Sequence, residues 1–140
     1  MVPGVATTRC PVCLRGGDRR TAAPAHGVTR PWHRYFADVD VFVCPSNITL
    51  AFPHDHRPFD QRTITTPEGE WPYVNQSFWI AHAALAGLPA MVAPIGHTTG
   101  GLPIGAQVVG PLYEDGTALT FAELLADVIG GYELPPMNQP

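Results

Sequence analysis

Apolar residues are most concentrated in two short runs in the second half of the chain. Residues 90–93 form one run, which Pro94 closes, and residues 104–109 form a second, which Gly110 closes. Residues 97–101 between them are polar or glycine, which is typical of a connection between strands. The pattern predicts two short buried strands joined by a tight loop.

A third strand is predicted for residues 38–44. Three valines alternate there with Asp40, Phe42 and Cys44, and Pro45 ends the run. β-branched residues at a spacing of two favour a strand. Because Phe42 and Cys44 are apolar on the second face, we expect a central strand that is buried on both sides, with Cys44 acting as a small buried apolar residue.

Two helices are predicted around these strands. Residues 72–86 carry apolar side chains at three- and four-residue steps, and Gly87 ends the segment. In the second helix, residues 117–129, we expect Asp115 to be the N-cap and one face to carry the large apolar side chains Phe121, Leu124, Leu125 and Val128.

Residues 46–72 are predicted to be a long connection that lines a pocket. His54 and His56 flank Asp55 in it, between Pro53 and Pro58. A His-x-His pair on a strand can bind a metal, but the two prolines favour a loop, and we expect no metal here. Loops between regular elements often carry binding residues.

Residues 1–31 are rich in proline and glycine and predict a poorly ordered tail. The spacing of Cys10, Cys13, His26 and His33 is close to that of a zinc site with two cysteines and two histidines. The prolines and glycines around the histidines argue against a zinc finger, so two interpretations stay open. The segment is either a zinc-binding module or an unstructured tail with incidental cysteines.

Length and charge narrow the class of protein. The chain has 140 residues, enough for one domain, and no apolar run long enough to cross a membrane. Six of its eight basic residues lie in the first 34 positions, on the predicted tail instead of a folded face. We therefore expect a cytoplasmic protein that binds neither nucleic acid nor membranes.

These elements predict an α/β fold. The chain divides into a tail at 1–31, a folded segment at 32–136 and a short tail at 137–140. Three strands and two helices bury little apolar area, and both outer edges of the sheet would be exposed. We therefore expect the folded segment to be part of a larger sheet.

The folded segment resembles the amidase signature family. The resemblance covers residues 32–136 and corresponds to the C-terminal part of such an enzyme. It is carried by the order and spacing of several motifs: Asp38-Val-Asp-Val-Phe-Val-Cys-Pro45, Ala51-Phe-Pro-His-Asp55, Gly87-Leu-Pro-Ala-Met-Val-Ala-Pro94, Gly101-Leu-Pro-Ile-Gly-Ala-Gln107 and Gly110-Pro111. The resemblance implies a partial amidase-signature fold, with a mixed central sheet and flanking helices.

The resemblance also implies hydrolysis of carboxylic acid amides by a Ser–Ser–Lys arrangement, in which a lysine acts as base and a Ser/Gly-rich loop binds the oxyanion. The sequence contains no lysine, and neither Ser46 nor Ser77 lies in a Ser/Gly-rich segment. No catalytic residue can therefore be assigned to any position. A Ser46–His54 or Ser46–His56 pair is disfavoured because no strand-to-helix elbow surrounds Ser46.

We therefore expect a C-terminal amidase segment that is inactive alone and needs no cofactor. The candidates for lining its substrate pocket are Pro45, Ser46, Asn47, His54 and His56, which follow the end of a strand. The expected partner is the missing N-terminal amidase part or a second copy, and a small amide would be the substrate once the catalytic part is supplied. An interaction subunit of a split amidase is an alternative. The composition of residues 1–31 favours a truncated or mis-started product.

Overall fold

A computed structural model describes residues 26–134. The predictions for residues 1–25 and 135–140 lie outside this range. The described chain contains three helices and five strands: α1 His26–Tyr35, β1 Phe42–Pro45, β2 Thr63–Thr66, β3 Gly69–Pro72, α2 Ser77–Ala86, β4 Ala90–His97, β5 Pro103–Val109 and α3 Asp115–Ile129. Short 3₁₀ turns at Phe59–Gln61 and Tyr73–Gln76 precede β2 and α2.

The predicted pair of strands forms an antiparallel hairpin at the centre of the fold. β4 and β5 pair from Ala90 opposite Val109 to His97 opposite Pro103, with an irregular step between Pro94 and Gly96. β5 is the middle strand of a three-stranded sheet of order β1–β5–β4. Its Val108 and Val109 are completely buried. The sequence prediction of two adjoining strands is confirmed.

The prediction for β1 needs correction. β1 starts at Phe42, not at residue 38, and it lies at one edge of the described sheet, paired with β5 alone. Phe42 is opposite Val109, and β5 ends there, so residues 38–41 have no strand to pair with. Val43 is consequently 46% exposed, whereas Cys44 is buried as expected.

The connection after β1 is more regular than predicted. β2 and β3 form a second antiparallel hairpin, with Thr63 opposite Pro72 and Thr66 opposite Gly69. The β-branched sequence Thr-Ile-Thr-Thr and the positive φ of 124° at Gly69 suit a hairpin with a glycine-containing turn. Ile64 is buried and anchors this hairpin.

α1 begins at His26, so the predicted boundary at residue 31 falls inside a helix. The helix tolerates Pro31 in its middle because aromatic packing holds its C-terminal half. The Trp32 ring lies 5.3 Å from the Phe42 ring and 6.2 Å from His82 of α2. Phe78 and Trp79 also contact His82, at 5.3 and 5.8 Å between ring centroids. The packing joins α1, α2 and β1.

α3 packs through small residues and not through the predicted apolar stripe. Ala118 and Ala122 are buried, while Leu124 and Val128 are 60% and 83% exposed. A Cβ atom at Gly110 would lie 3.4 Å from the Cβ of Ala118, which shows how closely the helix approaches the end of β5. Asp115 is the first helical residue and Glu114 is the N-cap, without a side-chain capping bond.

Candidate functional site

A half-open groove lies between the central sheet and the β2–β3 hairpin. Its volume is about 1030 Å³, which is at the upper end of the usual range for a small-molecule site. The end of β1 and the loop after it form one wall, the β2–β3 hairpin forms another, and the start of β5 closes the floor. Of the predicted pocket residues, Pro45, Ser46 and Asn47 line this groove.

Ser46 is held against β5 by two contacts to one carbonyl oxygen. Its hydroxyl donates to the Gly105 carbonyl oxygen at 2.9 Å, and its backbone N–H donates to the same oxygen at 3.4 Å. Gly105 permits this contact because a Cβ atom there would lie 2.7 Å from Cγ1 of Val92 and 3.4 Å from the Ser46 Oγ. The Ser46 hydroxyl is therefore a structural link between β1 and β5 in this conformation.

Asn47 fixes the loop that follows. Its Oδ1 accepts a hydrogen bond from the Ile48 N–H at 2.7 Å, and its Nδ2 donates to Oε1 of Gln76 at 3.0 Å. This side chain thus joins the groove wall to the turn before α2. Nε2 of Gln76 and Oγ1 of Thr49 are both shielded from solvent without a hydrogen-bond partner in the described chain.

His54 and His56 lie in the loop, as the flanking prolines predict, but they do not line the groove. Both residues are exposed, and their rings stack on each other with centroids 6.2 Å apart. Asp55 between them turns towards the groove. The structure therefore brings three of the five predicted pocket residues together at the groove and places the two histidines outside its lining.

Asp55 and Arg57 form an ion pair at the groove. Nε of Arg57 donates to both Asp55 carboxylate oxygens at 3.0 Å, and Nη2 donates to Oδ2 at 2.7 Å. Nη2 also contacts the Thr63 hydroxyl at 3.2 Å, which ties the loop to β2. The hydrogen bonds from Arg57 lower the pKa of Asp55 from 3.8 to about 2. The pair is therefore fully charged at neutral pH.

Glu70 of β3 adds a second carboxylate to the groove. The Thr65 hydroxyl donates to its Oε1 at 2.6 Å. Hydrogen bonds from Thr63 and Thr65 lower the pKa of Glu70, and the charge of Arg57 contributes in the same direction.

Below the groove, Gln107 connects three elements of the fold. It is buried on β5, and its Nε2 donates to the Trp79 carbonyl oxygen of α2 at 3.3 Å and approaches Sγ of Cys44 at 3.6 Å. Burial raises the pKa of the Cys44 thiol, with a smaller opposing effect of the Gln107 contact. Cys44 is thus a neutral thiol with a packing role, as expected from the sequence.

Several groove residues were not found from the sequence. Asp55 and Arg57 are two positions apart in a proline-flanked loop, which is a local pattern that could have indicated an ion pair. Thr49 and Gln76 are distant in sequence, and no motif connects them. Thr63, Ile64 and Glu70 were missed because the β2–β3 hairpin was taken as part of a loop.

No group of three or more potential metal-ligating side chains comes together within residues 26–134. Two of the proposed zinc ligands, Cys10 and Cys13, lie outside the described residues, so that hypothesis stays a prediction. In the described part of the chain, no helix has both the length and the apolar character that a membrane crossing requires.

The fold and groove define a class of protein: a mixed α/β segment with a small-molecule groove between a central antiparallel sheet and a second hairpin. Comparison with known families gives a match to the Amidase family model over residues 19–119. The chain belongs to the amidase family, as the motifs predicted.

Curated relatives, all of them glutamyl-tRNA(Gln) amidotransferase subunits, give the same family. The chain is 32% identical to the protein of Ehrlichia ruminantium over 103 residues, which are 74% of this chain and 19% of the relative. It is 32% identical over 112 residues to the protein of the same name from Rhizorhabdus wittichii, covering 79% of this chain and 20% of the relative. The identity is 26% over 103 residues with the Gluconobacter oxydans protein, again 19% of the relative. The chain therefore spans about a fifth of the length of these relatives.

Proposed function

We propose that this chain forms part of the substrate groove of an amidase, an enzyme that hydrolyses the C–N bond of carboxylic acid amides. Membership of the amidase family supports the reaction class. The groove supports the assignment of this region to substrate binding, since it has the size and the largely apolar lining of a small-molecule site. Ser46, Asn47 and Thr49 form the wall nearest to the end of β1.

The same chain is proposed to be inactive alone. The contact that carries this proposal is the hydrogen bond from the Ser46 hydroxyl to the Gly105 carbonyl oxygen. The only other serine, Ser77, donates from its hydroxyl to the Val74 carbonyl oxygen at 2.7 Å. A serine nucleophile needs a base within hydrogen-bond reach, and here both hydroxyls are directed to backbone carbonyls.

The nucleophile and base are therefore proposed to come from amidase sequence outside these residues. The sequence contains no lysine, and His54 and His56 are exposed and outside the groove lining. Relatives about five times longer than the matched region leave ample sequence for a Ser–Ser–Lys centre. In this proposal the groove described here positions the amide, and the missing segment cleaves it.

A second candidate function is to complement the other part of a split amidase. α2 supports it, because apolar residues occur on all sides of this helix and it contains no charged side chain. Such helices are usually buried. Phe78, Ile80 and Leu85 are nevertheless 56%, 49% and 69% exposed. The partner would be the remaining amidase part or a second copy, and the relatives are themselves named as subunits of an amidotransferase.

Complementation tests both functions. The chain is mixed with an amidase-family polypeptide that carries a lysine and a Ser/Gly-rich segment and that ends before the region matching residues 19–119. Hydrolysis of a chromogenic aryl amide is then followed. We expect turnover in the mixture and none with either component alone. Turnover by this chain alone would contradict the proposed inactivity, and an inactive mixture that forms a stable complex would contradict the proposed contribution to the groove.

A further inference from the structure

The cationic group of the groove is already occupied. Arg57 is the only basic residue among the described residues that line it, and its guanidinium makes three hydrogen bonds to the two Asp55 carboxylate oxygens. A guanidinium bound in this way offers little to a second carboxylate. Glu70 contributes another negative charge nearby. The charged lining groups therefore sum to one negative charge, from two carboxylates and one guanidinium.

The remaining lining is mainly apolar. Leu50 and Phe52 come from the loop after β1, Ile64 comes from β2, and Ile104 comes from the start of β5. Leu50 and Phe52 are 47% and 39% exposed, which is unusual for large apolar side chains unless a ligand or partner covers them. Such a lining suits the aromatic or branched alkyl body of a ligand.

Thr49 supplies a free polar group at this apolar lining. Its Oγ1 is shielded from solvent and has no hydrogen-bond partner in the described chain. Buried hydroxyls normally have a partner, because an unmade hydrogen bond costs stability. A hydroxyl can both donate and accept, and a carboxamide offers a carbonyl oxygen as acceptor and an N–H as donor.

We propose that the groove binds an uncharged carboxamide with an aromatic or branched apolar acyl group and discriminates against amides that carry a carboxylate. This inference rests on the proposed function, since it names the substrate class of the same groove. The apolar lining takes the acyl group, Thr49 binds the amide, and the carboxylates of Asp55 and Glu70 repel an anionic ligand. An amino-acid amide with a free carboxylate, such as glutamine, is a poor fit to these charges.

The test compares two ligands of the same shape on the full chain. Phenylacetamide and phenylacetate are titrated while the backbone amide signals of the groove residues are followed by NMR. We expect phenylacetamide to shift signals of residues 49–52 and 104–105 and phenylacetate to bind at least about fivefold more weakly. In Thr49→Val, which keeps the side-chain shape, the affinity for phenylacetamide should fall about threefold or more.

Asp55→Asn provides the sharpest variant, because it releases Arg57 from its carboxylate partner. Phenylacetate should then bind roughly two- to fivefold more tightly, while phenylacetamide binding stays the same. Asp60→Asn is the matched control: it removes a carboxylate from the neighbouring 3₁₀ turn that does not line the groove, and both affinities should stay at their wild-type values.

Equal or tighter binding of phenylacetate by the wild-type chain would overturn the inference. So would an absence of groove signal shifts with phenylacetamide, or an unchanged phenylacetate affinity in Asp55→Asn. These results are independent of complementation. Selective amide binding together with an inactive mixture would reject the proposed function and leave the ligand class standing, whereas an active mixture that prefers carboxylate-bearing amides would reject the ligand class alone.

Discussion

The hydroxyl of Ser46 and the carbonyl oxygen of Gly105 are 2.9 Å apart, and this hydrogen bond joins the end of β1 to the middle of the sheet. Gly105 leaves the space for it, because any Cβ atom would press against Val92 and approach the Ser46 hydroxyl. The contact places the groove wall on the most buried strand of the fold. It also directs the best serine candidate towards backbone instead of towards a ligand.

Gly105→Ala should destabilise the fold. The new Cβ atom would lie 2.7 Å from Cγ1 of Val92, so either that side chain or the strand must move, at a cost of about 1–2 kcal/mol. Chemical denaturation measures the effect. Combining it with Val92→Ala should recover part of the loss, because the overlapping methyl group is then absent. Gly116→Ala, where nothing lies within 4 Å of the new atom, should cost no stability.

Gln107 should tolerate an apolar replacement better than a charged one. Gln107→Leu removes the hydrogen bond to the Trp79 carbonyl oxygen and should cost about 1 kcal/mol. Gln107→Glu places a carboxylate at a position that is 5% exposed and should cost about 2 kcal/mol or more at neutral pH. Burial would raise the pKa of that carboxyl, so the penalty should shrink as the pH falls. A Gln107→Glu variant as stable as Gln107→Leu at neutral pH would contradict this assignment.

The Asp55–Arg57 pair predicts an acid-sensitive contact. The folded-state pKa of Asp55 is lowered from 3.8 to about 2, so the pair contributes its full stability above the unfolded value and loses it as the pH falls through about 2. NMR titration of the Asp55 carboxyl should show this midpoint. In Arg57→Gln it should return towards 3.8, and in Arg34→Gln it should not move. An unchanged midpoint in Arg57→Gln would show that Arg57 is not the cause.

The exposed side of α2 should matter for assembly and little for the stability of the chain itself. Leu85→Glu alters a side chain that is 69% exposed and should change the free energy of unfolding by less than about 0.5 kcal/mol. If α2 is covered in an assembled amidase, the same change should abolish complementation. Thr120→Glu on the exposed face of α3 is the control. Full complementation by Leu85→Glu would rule out α2 as the contact surface.

The sequence predicted those parts of the fold that local patterns determine. The apolar runs before Pro94 and Gly110 marked β4 and β5, and the three- and four-residue spacing marked α2. Pairing partners are not encoded locally, so the alternation of residues 38–44 predicted a central strand where the structure has a short edge strand. β1 is limited by the end of β5 at Val109, which the local pattern of β1 does not show.

The groove was predicted only where it follows the end of a strand. Pro45, Ser46 and Asn47 lie there because β1 ends at Pro45, whereas the orientation of His54, Asp55 and His56 depends on the reach of Arg57. Alanines 118 and 122 pack α3 because Gly110 lets the helix come close, and the larger side chains of that helix stay outside. Contacts between distant residues decide these features.

Amide hydrolysis by the purified chain tests the central claim most directly. A panel of aryl amides is incubated with the wild-type chain and with Ser46→Ala, and product release is compared with that in buffer. The account predicts no turnover above the buffer rate for either protein, because the Ser46 hydroxyl donates to the Gly105 carbonyl oxygen and the chain contains no lysine base. Turnover by the wild-type chain that disappears in Ser46→Ala would contradict it.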